Sequence, residues 1–298
     1  NRALKWLPIL FLLAISAVAY LPFIRQIGFM NDDWYLIFAG KAQGSGVFST
    51  VFAIDRPLRA YVMGPAYNLF GDNALLYHIS AYFIRFLSGV CVLWLMQMLR
   101  PKHGSSNLLT AVFFLIYPGF LSQVNAIDYQ SHIAAIFLAM LSIALTIKAI
   151  STSGWVKVLL FLGSIITGWV YLGLMEYFIG LEAFRIICVY LLNENKTSPG
   201  ERLISTIKQW APSALAPVGF LFWRLFIFDS ERKATNLGAQ LQEIMQSPTV
   251  KGAWMAVSLW YDTLKAGFLG WGVPVYIINA NLRLRDHLFI LVAATVII

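Results

Sequence analysis

NDDWYLIFAGKAQGSGVFSTVFAIDRPLRAYVMGPAYNLFGD, residues 31–72, is the stretch on which the reading of this chain turns. It lies between two long apolar segments and interrupts their pattern. It opens on adjacent carboxylates, Asp32 and Asp33, carries Asp55-Arg56-Pro57-Leu58-Arg59, and closes on Gly71-Asp72. Charge clusters, aromatic residues and turn-forming Gly and Pro are thus concentrated in one segment, and the apolar runs on either side decide what kind of segment it is.

The 298 residues are 59% hydrophobic and only 12% charged, with a mean hydropathy of +0.70. A soluble domain carries about 25% charged residues. Half that share, with long runs free of charge, predicts an all-α polytopic membrane protein, because only helices and closed barrels satisfy their own backbone in lipid. Spans are predicted at about 6–24, 75–99, 107–120, 132–149, 156–173, 175–192, 211–228 and 252–278, with a ninth starting at 287. The final run LFILVAATVII (288–298) is shorter than the roughly 20 residues of a span. The ninth span is therefore expected to be incomplete and the chain truncated at its C-terminus. Residues 1–298 form one transmembrane domain in this reading, with 25–74 and 229–250 as the two larger polar segments on one side.

Charge orients it. Arg2, Lys5, Arg100, Lys102, Lys148, Lys157, Lys196, Arg202, Lys208, Arg283 and Arg285 fall on one side; Arg25, Lys41, Arg56, Arg59, Arg232, Lys233 and Lys251 fall on the other. The positive-inside rule puts the first set in the cytoplasm. Asp32, Asp33, Asp55, Asp72, Asp128, Asp229, Glu231 and Glu243 then all face out. The formal net charge of +8 is explained by this orientation rather than by nucleic acid, for which the basic residues form no patch. Cys91 and Cys188 sit singly within apolar runs and read as small buried hydrophobes, with no disulfide framework or zinc spacing.

Four groups carry chemistry. Asp32 and Asp33 follow the first span by about a helical turn, at the membrane–water boundary. Neighbouring acids repel, which raises the pKa of one and suits a general base; the pair could also hold a divalent cation such as Mg or Mn, or merely cap a helix. Arg56 and Arg59 stand on the side the positive-inside rule disfavours, where a guanidinium matches phosphate oxygens or makes an ordinary surface ion pair with Asp55. Pro57 predicts that Leu58 to Phe70 form an interfacial helix. Ionisable groups within spans come third: Arg85, Glu176, Arg224, and Glu182–Arg185 at i,i+3, the last read as a buried structural pair. Asp128 and His132, four apart, make either a dyad or a helix cap with a hydrogen-bonded His. Asp262 and Lys265 are expected to pair. No nucleotide loop, GxSxG or HExxH motif occurs.

On these residues the chain resembles the GT-C integral-membrane glycosyltransferases, the superfamily of protein O-mannosyltransferases and lipid A aminoarabinose transferases. The shared pattern is a first span, an acidic pair (Asp32-Asp33), a basic-Pro-Leu element (Arg56-Pro57-Leu58), an aliphatic interfacial helix, Phe70-Gly71, and a second span with an internal Arg85. Glu176 in LMEYFIGLEAFR and Arg224 in FWRLF are further points of likeness. The mannosyltransferases' His-Pro-Pro element is absent. The resemblance implies a GT-C-like bundle in a bacterial plasma membrane, a sugar donor on a polyprenyl phosphate, and a lipid, glycan or protein acceptor. It implies inverting transfer on the extracytoplasmic side. Asp32 or Asp33 would be the base, Arg56, Arg59 and Arg224 would hold the phosphate, and Asp55, Glu176, Asp128 and His132 would support them. A transporter or flippase for a lipid-linked sugar, a polysaccharide ligase or polymerase, and a structural membrane subunit are the alternatives.

Overall fold

A computed structural model describes residues 6–118, 125–195, 198–232 and 236–272. The described residues are helical, with no strand among them. In chain order the helices are α1 (Leu7–Tyr20), α2 (Asp33–Gln43), α3 (Val47–Ala53), α4 (Ala60–Phe70), α5 (Ala74–Leu99), α6 (Gly104–Leu115), α7 (Gln130–Ile150), α8 (Gly154–Leu174), α9 (Leu181–Leu192), α10 (Pro199–Phe226), α11 (Leu237–Gln246) and α12 (Pro248–Gly267). Three of them, α5, α7 and α8, are long and apolar enough to cross a bilayer. At 1.5 Å per residue they run about 31–39 Å, against a hydrocarbon core of about 30 Å. α1 and α6 are shorter apolar helices.

Several predicted spans change length, each for a local reason. α6 stops at Leu115 because Tyr117 precedes Pro118, and the residue before a proline is pushed out of the helical region. Its last carbonyls would be left unpaired inside the bundle. Arg85 donates to Phe114 O at 2.6 Å and Tyr20 to Leu115 O at 2.8 Å, so the buried Arg85 completes a helix end. The predicted span 175–192 is a short 3-10 turn, Glu176–Gly180, followed by α9. The polar segment 193–209, expected to be a loop, is from Pro199 onward the first part of α10: Ser198 precedes Pro199 at the helix start, and Glu201 sits in the first turn, where the helix dipole favours an acid. Its polar face is used. Arg202 donates to Tyr190 O at the end of α9 and lies 3.8 Å over the Tyr190 ring, while Asn193 donates to Gln209. The ninth span and the part of the eighth beyond 272 lie outside the described residues. α12 buries none of its residues, and its Lys265 lies over the Tyr261 ring instead of pairing with Asp262.

α8 and α10 pack closely where both meet α7. A Cβ on Gly168 would come within 2.7 Å of the Ala216 Cβ, so small residues let α8 and α10 approach. Beside this contact lies a polar knot. Arg185, fully buried, pairs with Glu182 at 3.0 Å and donates to Ser142, Thr146 and Ser164 at 2.8 Å each. Tyr171 and Trp210 donate to the Glu182 carboxylate. Four helices supply the groups, and the charge pair is the structural one expected from its i,i+3 spacing. Cys91 and Cys188 are buried and free.

Residues 28–78 are more than a connecting loop. Leu36, Ile37, Phe48, Phe52, Met63, Ala66 and Tyr77 form a separate hydrophobic core that also takes in Ala126 and Ile127 from the α6–α7 connection. α2, α3 and α4 therefore make a cap over one end of the bundle. The expected helix after Pro57 is present as a 3-10 turn, Pro57–Arg59, leading into α4. Gly173 lets the cap seat: a Cβ there would meet the Leu58 side chain at 2.5 Å.

Candidate functional site

The acidic pair is divided by the fold. Asn31 adopts a left-handed conformation, φ 47°, tolerated by Asn better than by most residues, and turns the chain into α2. Asp33, the first residue of α2, is 0% exposed. Its Oδ1 accepts from the Asp128 amide at 2.8 Å and the Ile127 amide at 3.1 Å, and its Oδ2 accepts from the Met30 amide at 3.3 Å. Burial pushes its pKa above the ordinary carboxylate value, and the three amides oppose that rise by favouring the ionised form. Asp33 is thus a strut joining the cap to the α6–α7 connection.

Asp32 is its opposite. It is exposed at the N-cap position of α2 and makes no side-chain cap, hydrogen bond or ion pair among the described residues. Tyr35, one turn on, has its hydroxyl pKa raised, first by burial and then by Asp128, with Arg59, Asp32 and Arg232 also in electrostatic reach. Its neighbour Asp33 takes the Asp128 amide and the Asp128 carboxylate takes Arg59, so the exposed acid lies at the same end of the bundle as that arginine.

The arginines come from distant parts of the chain to this end. Arg56 meets Glu176 in a two-pronged contact, Nε–Oε2 at 2.8 Å and Nη2–Oε1 at 2.7 Å. Burial alone would raise the Glu176 pKa; the Arg56 hydrogen bonds and charge outweigh it and hold the carboxyl below its usual value. Arg59, buried, donates to both the carbonyl and Oδ1 of Asp128 at 2.7 Å and lies 4.3 Å over the Phe52 ring. Asp55, also buried, accepts from Arg232 at 2.9 Å and has Arg56 at 3.7 Å, while its backbone carbonyl accepts from Arg224 at 2.8 Å. Arg224 has Glu176, Arg56 and Asp55 as charged neighbours.

His132 does not form a dyad with Asp128. The carboxylate goes to Arg59, and the imidazole stacks on Tyr129 at 4.2 Å and tilts against Tyr177 at 5.9 Å. Nor does Asp128 cap α7, whose N-cap residue is Tyr129 and has no side-chain cap. Burial pushes the Tyr177 hydroxyl up to about 12. Sequence reasoning did not single out Tyr35, Tyr129, Tyr177 or Arg232. The two signals available were the adjacency of Tyr129 to Asp128 and of Tyr177 to Glu176.

Chemically, this end of the bundle gathers guanidiniums, of which Arg56, Arg59 and Arg232 are paired with carboxylates, the exposed carboxylates of Asp32, Asp229 and Glu231, and aromatic rings suited to an apolar or sugar face. A cation held by Asp32 and Asp33 together does not fit, because Asp33 is buried with both oxygens already accepting amide hydrogens. Among the described residues no three His, Cys, Asp or Glu side chains gather as a metal-binding group. The chain matches no protein-family model, and no curated protein matches it.

Proposed function

We propose that this chain is a GT-C-type membrane glycosyltransferase that moves a sugar from a polyprenyl-phosphate donor to an acceptor hydroxyl on the extracytoplasmic side of a bacterial plasma membrane. The observation that carries this reading is the division of the acidic pair: Asp32 is exposed and unpaired near Tyr35, at the end of the bundle that also gathers Arg56, Arg59 and Arg224.

In the proposed reaction the acceptor oxygen attacks the anomeric carbon from the face opposite the phosphate. The bond from that carbon to the phosphate oxygen breaks, its electron pair leaves with polyprenyl phosphate, and the configuration inverts. Asp32 takes the hydroxyl proton. Arg56, Arg59 and Arg224 balance the phosphate charge, which costs little reorganisation when the donors are already oriented. The carboxylates that now hold the arginines keep them ordered in the absence of donor. Asp33 has no direct part in this step; it fixes the position of its neighbour.

The test is a transfer assay with purified protein, a panel of polyprenyl-phosphate sugars and a panel of acceptors. Asp32→Asn should lower turnover by about 10²–10⁴-fold while donor binding persists. A protein that flips lipid-linked sugar between leaflets, gives no turnover with any acceptor, and is unaffected by Asp32→Asn is a flippase, and the proposal is then wrong.

A further inference from the structure

At the end of the bundle opposite the arginine cluster, a cavity of about 790 Å³ opens between α5, α6 and α9, with Met140 of α7 among its walls. Its size is that of a small-molecule site, about 300–1,000 Å³. The walls are apolar. Along α9 it reaches from Leu181 to Leu191, a rise of about 15 Å. That is the depth of one leaflet, half of a hydrocarbon core about 30 Å thick. The slot exists because α6 and α9, with 12 residues each, are short beside α5.

The mouth of the slot is charged. Arg100, Lys102 and His103, in the turn between α5 and α6, line one side, and Glu194, just past α9, lines it as well. Arg100, Lys102 and Glu194 make no ion pair among the described residues, and all four side chains belong to exposed residues. α6 begins directly after this turn, at Gly104. An acyl-chain-sized slot with two cations and one carboxylate at its mouth is complementary to a particular headgroup: a phosphate followed by a primary ammonium.

We propose that this slot binds phosphatidylethanolamine from the leaflet opposite the candidate active site. One acyl chain fills the space between α5, α6 and α9. The phosphate meets Arg100 and Lys102, and the ammonium donates to Glu194. The inference is independent of the transferase reading, since it uses none of the residues of the arginine cluster.

The experiment is lipid competition on the purified full chain. Mixed micelles hold phosphatidylethanolamine, phosphatidylglycerol, phosphatidylcholine and undecaprenyl phosphate at equal mole fractions, and retained lipid is read by native mass spectrometry. The wild type should retain phosphatidylethanolamine above the other three. Replacing both cations, Arg100→Gln with Lys102→Gln, should lower retained lipid on the order of tenfold, the effect of losing charge-assisted hydrogen bonds. Glu194→Gln should remove the preference over phosphatidylglycerol while total binding stays within about twofold. Met140→Trp, which fills the slot and leaves the rim intact, should lower retention of all four lipids. Three results each overturn the proposal: no preference among headgroups, displacement by undecaprenyl phosphate, or rim variants that retain lipid as the wild type does.

Discussion

Removing the Asp33 carboxylate should loosen the cap without touching the exposed acid beside it. In Asp33→Ala the amides of Ile127 and Asp128 lose the acceptor that they reach at 3.1 and 2.8 Å in a buried setting. An unsatisfied buried amide costs about 1–3 kcal/mol. The Met30 contact, at 3.3 Å and only partly buried, adds little. Some of the loss is offset because a buried carboxylate no longer has to be desolvated, leaving a net of about 2–4 kcal/mol. For a chain of this size that lowers Tm by about 3–6 °C. Asp33→Asn keeps an oxygen for the two short bonds and should cost about 1 kcal/mol.

The pH dependence has a definite sign. Burial raises the folded-state pKa of Asp33, so the native chain holds this proton to higher pH than the unfolded chain does. Its contribution to stability is therefore most favourable below the ordinary carboxylate pKa and declines as pH rises from there through the raised value. Asp33→Asn should flatten that part of the profile. The assay is thermal unfolding in detergent, followed by tryptophan fluorescence between pH 4 and 8, with Asp32→Ala as the control. If Asp33→Ala melts within about 1 °C of wild type, or if Asp32→Ala falls as far, the division of labour between the two acids is wrong.

Asp32→Asn should lower turnover by about 10²–10⁴-fold with an unchanged Tm, since it removes a proton acceptor that holds nothing in place; equal loss of both would argue against a base. Arg56→Ala and Glu176→Gln, combined in a double-mutant cycle of unfolding, should give a coupling of about 1–3 kcal/mol from their two-pronged contact. Because Glu176 has a depressed pKa in the fold, its contribution is complete above the ordinary glutamate pKa and is lost as pH falls through the depressed value; acid melts of Glu176→Gln should lack that step. Gly168→Ala should destabilise by about 1–3 kcal/mol by forcing α8 from α10, and Ala216→Gly should restore most of the loss. Arg185→Met should cost about 3–5 kcal/mol by stranding Glu182 among its buried partners, and adding Glu182→Gln should recover part of it.

The helical class, with helices long and apolar enough to span a bilayer, was legible in the chain itself, because a run of about twenty mostly apolar residues with at most one or two charges has few other stable forms. α5, α7 and α8 lie within two residues of their predicted bounds for that reason. The helix after Pro57 and the Glu182–Arg185 pair were legible too, since each depends on residues close in sequence. The start of α10 was not: a polar segment is as consistent with a loop as with a helix whose polar face meets α9, and α9 decides it.

The site divides the same way. Composition and position marked Asp32, Asp33, Arg56, Arg59, Glu176 and Arg224 as unusual, because charge at a membrane boundary is costly wherever it falls. Which acid is buried could not be read from two identical neighbours. Successive residues of a helix start point about 100° apart, so one turned to the amides at 127 and 128 while the other stayed in water. Arg56 meets Glu176 across 120 residues and Arg59 meets Asp128 across 69. Those partners are set by how the cap settles on the bundle: a guanidinium out of water takes whichever carboxylate the packing brings within 3 Å, and packing is a property of the whole chain.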